Sequence, residues 1–432
     1  MELPSSSAGV FMSHTQITLT SDITTFIRKD VLDRFVRYAR VSTASDPSST
    51  TKPSTSRQHD LLAILAQELT TLGAHNVLHA QNGFVYASLP ANRPHTPFGL
   101  MAHVDTSSDQ SGEGVKPLLR DNYDGSVLSF PDDPTLTLSP ADSPELRDFL
   151  GDTIITASGL TLLGADDKAG VAEIMSAIAT FQTFENLPHG HIEVCFTSDE
   201  EIGHGVDGID TARLPAHLYT IDGSYPGELE AECFDALGVT VEFTGRGVHP
   251  GYSYGKMINA ALLASDFIAE LPKDARPETT KDRDGFIHVS DVTANNESAK
   301  VSLLLRDFEH SKNLDRLEYV RSAARNIEER NPGSRVALSH IHQYENMRDE
   351  LLKHPEVIER AIHAITDTGI CVRRKAIRGG TDGSKLTAMG YPTPNIFAGG
   401  LLFHSRKEWI ALSSMVKAVE TLLHLARHHT IT

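Results

Sequence analysis

A chain of 432 residues is too long for one typical domain and has ample material for two buried cores. Its formal charge of -18 argues against nucleic acid and anionic membrane as partners, and its 40% apolar and 22% charged content is that of an ordinary globular enzyme. No apolar run approaches the ~20 residues of a membrane span. The first residues also lack the basic and apolar regions of a secretory signal. Three scattered cysteines, Cys195, Cys233 and Cys371, fit a reducing compartment, so a cytoplasmic location is expected.

Residues 1 to about 21 are Ser/Thr-rich and are expected to be a weakly ordered extension. From Asp30, Val31, Leu32, Phe35 and Tyr38 fall at helical spacing. The run SDPSSTTKPSTS (45–56) has the composition of an exposed loop. A second helix is predicted over 58–72, with a leucine stripe at Leu61, Leu62, Leu65, Leu69 and Leu72 and Gly73 as its stop. Strands follow at 82–90 and 97–106; the second turns polar after Ala102, which puts His103 and Asp105 at its exit. A β run over 159–163, a helix over 169–181 and strands at 191–201 and 218–223 repeat the pattern, with carboxylates at the exits. This alternation predicts an α/β fold, a mostly parallel sheet flanked by helices with its chemistry along one edge.

From Phe234 the texture changes to strand 237–245, helix 259–271, strands 285–292 and 300–308, helix 314–329 and strand 335–343. The order β-α-β-β-α-β is that of a ferredoxin-like α+β insert. A catalytic domain is therefore expected at 1–234 and 350–432, interrupted by a smaller domain at 235–349.

The turn Leu163-Gly164-Ala165-Asp166-Asp167-Lys168-Ala169-Gly170 places two aspartates between a β run and a helix. One carboxylate has two oxygens and can bridge two metal ions, the role expected of Asp166. His103, Asp105, Glu200, Glu201, Asp222 and His404 stand at other polar exits. Histidine and carboxylate without cysteine is the ligand set of a catalytic zinc site. Two zinc ions ~3.5–4 Å apart, sharing a carboxylate, activate a water for hydrolysis. Of the adjacent pair Glu200-Glu201, one can bind metal while the other takes a proton. Taken singly, a histidine at a strand exit is commonly structural and an acidic pair commonly a solvated loop; their joint occurrence after apolar runs points to one centre.

The motifs AHVDT (102–106), LLGADDKAGVAEIM (162–175), FTSDEEIG (196–203), YTIDG (219–223), VHPG (248–251), RDF (306–308), NMR (346–348), IRGGTDG (377–383) and FHSRKE (403–408) carry a resemblance. The chain resembles the peptidase T family from about Asp30 onward. That family is the tripeptide aminopeptidase branch of the dizinc peptidases, which include carboxypeptidase G-like enzymes, aminoacylases and succinyl-diaminopimelate desuccinylase. The resemblance implies a dizinc exopeptidase-like catalytic domain with a lid, and hydrolysis of the N-terminal bond of tripeptides through a metal-activated water. It implies two zinc ions, with cobalt or manganese as substitutes. His103, Glu201, Asp222 and His404 would be terminal ligands and Asp166 the bridge; Glu201 and His404 would share one ion, His103 and Asp222 the other. Glu200 would be the general base, and Asp105 would fix the His103 ring. A cis Asp166–Asp167 peptide is also implied.

By the same resemblance His249, in the lid, would stabilise the oxyanion, and in dimeric relatives this residue reaches the partner's site, which implies a homodimer through the lid. Arg306 and Arg378 would hold a substrate carboxylate, a task suited to a bidentate guanidinium. Gly379 and Gly380 would allow close backbone approach. Asn259 would be a substrate contact or only a helix cap. Departures fall at Tyr225, Ser405 and Lys407; they remove no ligand and bear on side-chain preference. The alternatives are a related dipeptidase, an N-acyl amino acid amidohydrolase, or a non-catalytic peptide-binding relative.

Overall fold

The computed structural model describes residues 19–430. Residues 1–18 of the expected extension lie outside them. Its remainder meets the helix Ser21–Ala39, which starts well ahead of the predicted Asp30. Thr20 caps this helix by accepting the Ile23 amide, and Ile23 and Ile27 extend the buried stripe of Val31 and Phe35 by further turns.

The chain divides into two units. The first holds the described residues up to Leu229, with Glu359–Arg373 and those from Ile396 onward. Six consecutive strands of an eight-stranded sheet run in the order His75–His79, Val85–Leu89, Ile192–Thr197, Phe98–His103, Leu218–Gly223 and Asn395–Phe397. Phe98–His103 is parallel to both neighbours, while Val85–Leu89 is antiparallel to both of its own. Every residue of these two strands is buried, as expected of strands covered on both faces. The helices Ser21–Ala39, Ala165–Thr183 and Leu412–His428 pack on one another, and Ala165–Thr183 lies against Phe98–His103 and Leu218–Gly223. Gly170 permits that approach: a Cβ there would come within 1.9 Å of the Ile221 carbonyl oxygen.

Two further local expectations differ from the structure. The β run predicted at 159–163 is irregular chain; the strand is Ile154–Thr156. Gly159 and Gly164 adopt φ of 108° and 78°, outside the strand region, so Asp166 hangs from a turn at a helix start rather than from a strand end. The strand Ile154–Thr156 joins Leu118–Arg120, Trp409–Ala411 and Gly400–Leu401 in a small antiparallel sheet over a core that includes Phe130, Phe149 and Trp409. The loop 45–56 is exposed only in part. Pro53 and Ser54 are buried because the Asp199 carboxylate accepts the Ser54 amide at 2.8 Å and the Gln58 side-chain amide at 2.6 Å.

The second unit comprises Glu230–Ile358 and Arg374–Asn395. It contains Asp235–Thr244, Ala260–Glu270, Phe286–Ala294, Ser298–Asp307, His310–Arg330 and Arg335–Tyr344, the β-α-β-β-α-β order read from the sequence. The sheet order is Phe286–Ala294, Ser298–Asp307, Asp235–Thr244, Arg335–Tyr344, antiparallel throughout. Leu237, Val239, Val241 and Phe243 alternate onto the face that meets Leu263, Phe267, Leu317 and Val320 of the two helices.

Candidate metal centre

The centre is built in the first unit on chain exits. The strand Phe98–His103 ends on His103, whose Nε2 lies 3.0 Å from Asp166 Oδ1 and 3.6 Å from Asp222 Oδ1. Asp222 closes the parallel strand Leu218–Gly223. On the other side His404 Nε2 lies 3.2 Å from Asp166 Oδ2 and 2.9 Å from Glu201 Oε2. His404 is held in the left-handed region, at φ 57°, by the turn before the strand Trp409–Ala411. The two oxygens of Asp166 thus face two histidines, each beside a further carboxylate.

The peptide between Asp166 and Asp167 is cis. The carboxylate of Asp167 is buried and both its oxygens accept backbone amides, Oδ2 from His103 and Oδ1 from Gly170, each at 3.2 Å. Asp167 also shares a cluster with His103 and Asp222. With both oxygens engaged it ties the turn to the strand exit, and Asp166 is the carboxylate turned to both histidines.

Asp105 lies beneath these groups, fully buried. Its Oδ1 accepts the Glu200 amide at 3.0 Å and its Oδ2 the Glu201 amide at 3.2 Å, while Oδ1 is 3.4 Å from His103 Nδ1. The Asp105 side chain therefore orients the acidic pair, while the Asp105 main-chain carbonyl, 3.0 Å from His103 Nδ1, fixes the imidazole. Glu201 is further held by the Ser107 amide, which donates to Oε1 at 3.0 Å.

The donor set fits divalent metal ions. Ligand atoms of His103, Asp166 and Glu201, and of His103, Asp167 and Asp222, lie within 4.8 Å of one another in each group. Burial and the charge of Asp166 push the Glu201 carboxyl up to about 7. Hydrogen bonds to Asp166 and Glu201 push His404 up to about 11. Burial opposes ionisation of Asp166, yet the hydrogen bonds from His103 and His404 hold its carboxyl below the usual range. Such a group of carboxylates, neutralised only by protonated histidines, is chemistry that cations complete, with release of those protons.

The other predicted site residues belong to the second unit. His249 is exposed at the start of the turn Pro250–Tyr252, and its Nδ1 accepts the Gly251 amide at 3.1 Å. Asn259 caps the helix Ala260–Glu270, its Oδ1 accepting the Ala261 amide at 3.0 Å. Arg306 lies over the Tyr344 ring, 5.3 Å from its centroid. Arg378 donates through Nη1 to the Thr280 carbonyl and through Nη2 to the Thr280 hydroxyl, both at 2.9 Å, while its buried Nε has no partner. The departures are engaged locally: the Tyr225 hydroxyl donates to Asp148 at 2.7 Å, Ser405 Oγ to the Leu402 carbonyl at 2.6 Å, and Lys407 pairs with Asp142 at 2.6 Å.

Glu408 and Lys168 also serve the centre, though neither stands out in the sequence. The buried Glu408 carboxylate accepts the amides of Leu163, Gly164 and Asp166 at 2.7, 2.8 and 3.1 Å, holding the turn that presents Asp166. The available signal was an acid placed directly before the apolar run Trp409-Ile410-Ala411. Lys168 is buried with its ammonium on the Val41 carbonyl at 2.7 Å, and burial lowers it to about 7.

Comparison with known proteins agrees with this geometry. The model of Peptidase family M20/M25/M40 matches residues 164–428. Peptidase T of Listeria monocytogenes serotype 4a (strain HCC23) is 41% identical over 404 residues, which are 93% of this chain and 98% of that protein. Among solved structures, aminopeptidase PepT from Bacillus cereus ATCC 10987 has a TM-score of 0.71 at 20% identity over 93% of this chain and 98% of its own. A tripeptidase from Staphylococcus aureus subsp. aureus Mu50 has a TM-score of 0.73 at 17% identity, with the same coverage of both chains. A dinuclear metal binding peptidase from Bacillus subtilis has a TM-score of 0.60 at 11% identity, again over 93% of this chain and 98% of its own. At these identities the three structures show a common fold.

Proposed function

We infer the function from one premise: the chain belongs to peptidase family M20/M25/M40, in its peptidase T branch. It is a metal-dependent aminopeptidase that removes the N-terminal residue of tripeptides. The observation that carries the reading is the pair His103 and His404, which face opposite oxygens of Asp166.

Two zinc ions would be held by His103 and Asp222, by Glu201 and His404, and by Asp166; imidazole and carboxylate also serve cobalt and manganese. When bound, such ions polarise a carbonyl and lower the pKa of water. Glu200 accepts a proton from the attacking water and passes it to the leaving amine nitrogen. Asp105, by holding the Glu200 and Glu201 amides, keeps base and ligand in fixed relation.

His249 donates to the oxyanion. Because its Nδ1 accepts the Gly251 amide, the ring proton is on Nε2, the form that role needs. Arg306 and Arg378 hold the substrate's C-terminal carboxylate when the insert serves as a lid, which sets a length limit on the peptide; Asn259 has the weaker claim, being a cap. Pairing of two chains through the insert rests on the place of His249 in it, and a cytoplasmic location is in keeping with three cysteines outside any disulfide.

A panel of free tripeptides, dipeptides, tetrapeptides and N-acetyl amino acids, each with and without chelator, tests the function. Chelator-sensitive cleavage confined to tripeptides is expected. Preferred cleavage of dipeptides or N-acetyl amino acids would move the chain to a neighbouring activity, and equal rates on tetrapeptides would remove the length limit.

A further inference from the structure

The second unit holds a group of donors that the peptidase chemistry does not use. Asp235 opens the strand Asp235–Thr244, His310 is the first residue of the helix His310–Arg330, and His342 stands near the end of the strand Arg335–Tyr344. His310 Nδ1 and His342 Nε2 both lie on the same oxygen, Asp235 Oδ2, at 3.0 and 2.6 Å. The three donor atoms lie within 4.8 Å of one another. We propose that Asp235, His310 and His342 form a further metal site, which takes one divalent ion of the zinc class.

Four features support it. First, local register builds the cluster. Ala236 pairs with Tyr344 and Leu237 with His342, so Gln343 is an extra residue that shifts the ladder. Opposed residues share a face, and the shift puts His342 on the face of Leu237 and, two residues back, Asp235. Second, the carboxylate is fixed. Buried Asn313 donates from Nδ2 to Asp235 Oδ1 and to the Asp235 carbonyl, both at 2.7 Å, which leaves Oδ2 to the histidines. A ligand carboxylate held by an outer hydrogen bond is the usual arrangement of metal sites.

Third, both rings reach solvent while the carboxylate does not. The His310 and His342 side chains are 50% and 33% exposed and that of Asp235 is 2%. Two imidazoles and one carboxylate leave a fourth position of a tetrahedral ion open. Fourth, a cavity of about 580 Å³ has Asp235 and His310 in its wall, together with Glu309, Glu345, Asp349 and Glu350 against Arg348 and Lys353. The excess of carboxylates draws cations into it. An ion here ties the start of one helix to two strands of the sheet, and imidazole selects zinc, nickel or copper over magnesium or calcium.

Zinc bound per chain, measured on full-length protein stripped by chelator and then equilibrated with micromolar free zinc, tests the site. The chain with both His310→Ala and His342→Ala is expected to hold one ion fewer than the unaltered chain. The comparison is a difference, so it does not depend on how many ions the first unit retains. Far-UV circular dichroism checks that both proteins are folded; equal zinc counts in two folded proteins overturn the site. Should the double variant fail to fold, His342→Gln preserves a donor to Asp235 while removing the imidazole. For that variant a loss of tenfold or more in affinity for the extra ion is expected, and unchanged affinity overturns the proposal.

Discussion

The Glu408 carboxylate accepts the Asp166 backbone amide at 3.1 Å, across 242 positions of sequence. Its other oxygen takes the amides of Leu163 and Gly164, so a single buried acid determines how the turn presents Asp166 to His103 and His404. Glu408→Ala strands three amides, and a buried donor left unpaired costs about 1–3 kcal/mol. A fall of at least about 3 kcal/mol in unfolding free energy is expected from denaturant titration. Glu408→Gln retains one acceptor oxygen but opposes an N–H to an N–H at Asp166. It should fold, and bind metal roughly 10–100-fold more weakly in chelator competition.

Asp105 acts in the same way on the acidic pair. Asp105→Asn keeps one oxygen, so it can satisfy the amide of Glu200 or of Glu201 but not both. Metal affinity or kcat should drop roughly 10–100-fold with little change in thermal stability. An unchanged value of both would mean that Asp105 only fills space.

Glu200→Ala separates base from ligand. The neighbouring Glu201 keeps its contacts to His404 and the Ser107 amide. The variant should therefore retain its bound metal and lose tripeptide hydrolysis by about 10²–10⁴-fold. Metal analysis alongside kcat checks the split, and loss of metal together with activity would assign Glu200 to the ligands.

Much of this centre was legible because apolar strands stop abruptly at polar residues: Met101-Ala102 before His103, and Thr220-Ile221 before Asp222. The insert was legible from period-two alternation in Leu237, Val239, Val241 and Phe243. The small sheet of Leu118–Arg120, Ile154–Thr156, Gly400–Leu401 and Trp409–Ala411 was not, since strands of two or three residues are too short to show a period. Glu408 and Asp199 escaped for another reason. Their work is to accept distant amides, and a backbone amide leaves no mark in sequence. Loop composition likewise suggested exposure for Pro53 and Ser54, which Asp199 overrides.

Gly170 couples fold to site through steric contact alone. An added methyl would meet the Ile221 carbonyl oxygen at 1.9 Å, so the helix Ala165–Thr183 must move away from the strand that carries Asp222. Overpacking of this kind destabilises by about 1–3 kcal/mol. Gly170→Ala should lower the melting temperature and, because it separates Asp166 from Asp222, weaken metal binding as well. Reduced stability with intact metal affinity would show that the helix adjusts without displacing its first turn.

Acid should destabilise the protein through the C-terminal helix Leu412–His428. Burial lowers His424 to about 4 against the opposing charge of Asp367, and lowers His428 to about 4 against its hydrogen bond to the Asp367 carboxylate. Both are bases whose folded pKa lies below the unfolded 6.5. Between those values the unfolded chain binds more protons, so stability is full above about pH 6.5 and falls as pH drops toward 4. Each histidine accounts for a loss of about 3 kcal/mol at most over that range. Metal ligands also protonate in acid, so the comparison must isolate this helix. His424 Nδ1 is buried without a hydrogen-bond partner, with Asp367 Oδ2 3.8 Å away, so His424→Leu sacrifices no hydrogen bond there. Urea midpoints measured from neutral pH to about pH 4.5 should fall less steeply for His424→Leu than for the unaltered chain. Parallel curves would show that His424 carries none of the acid sensitivity.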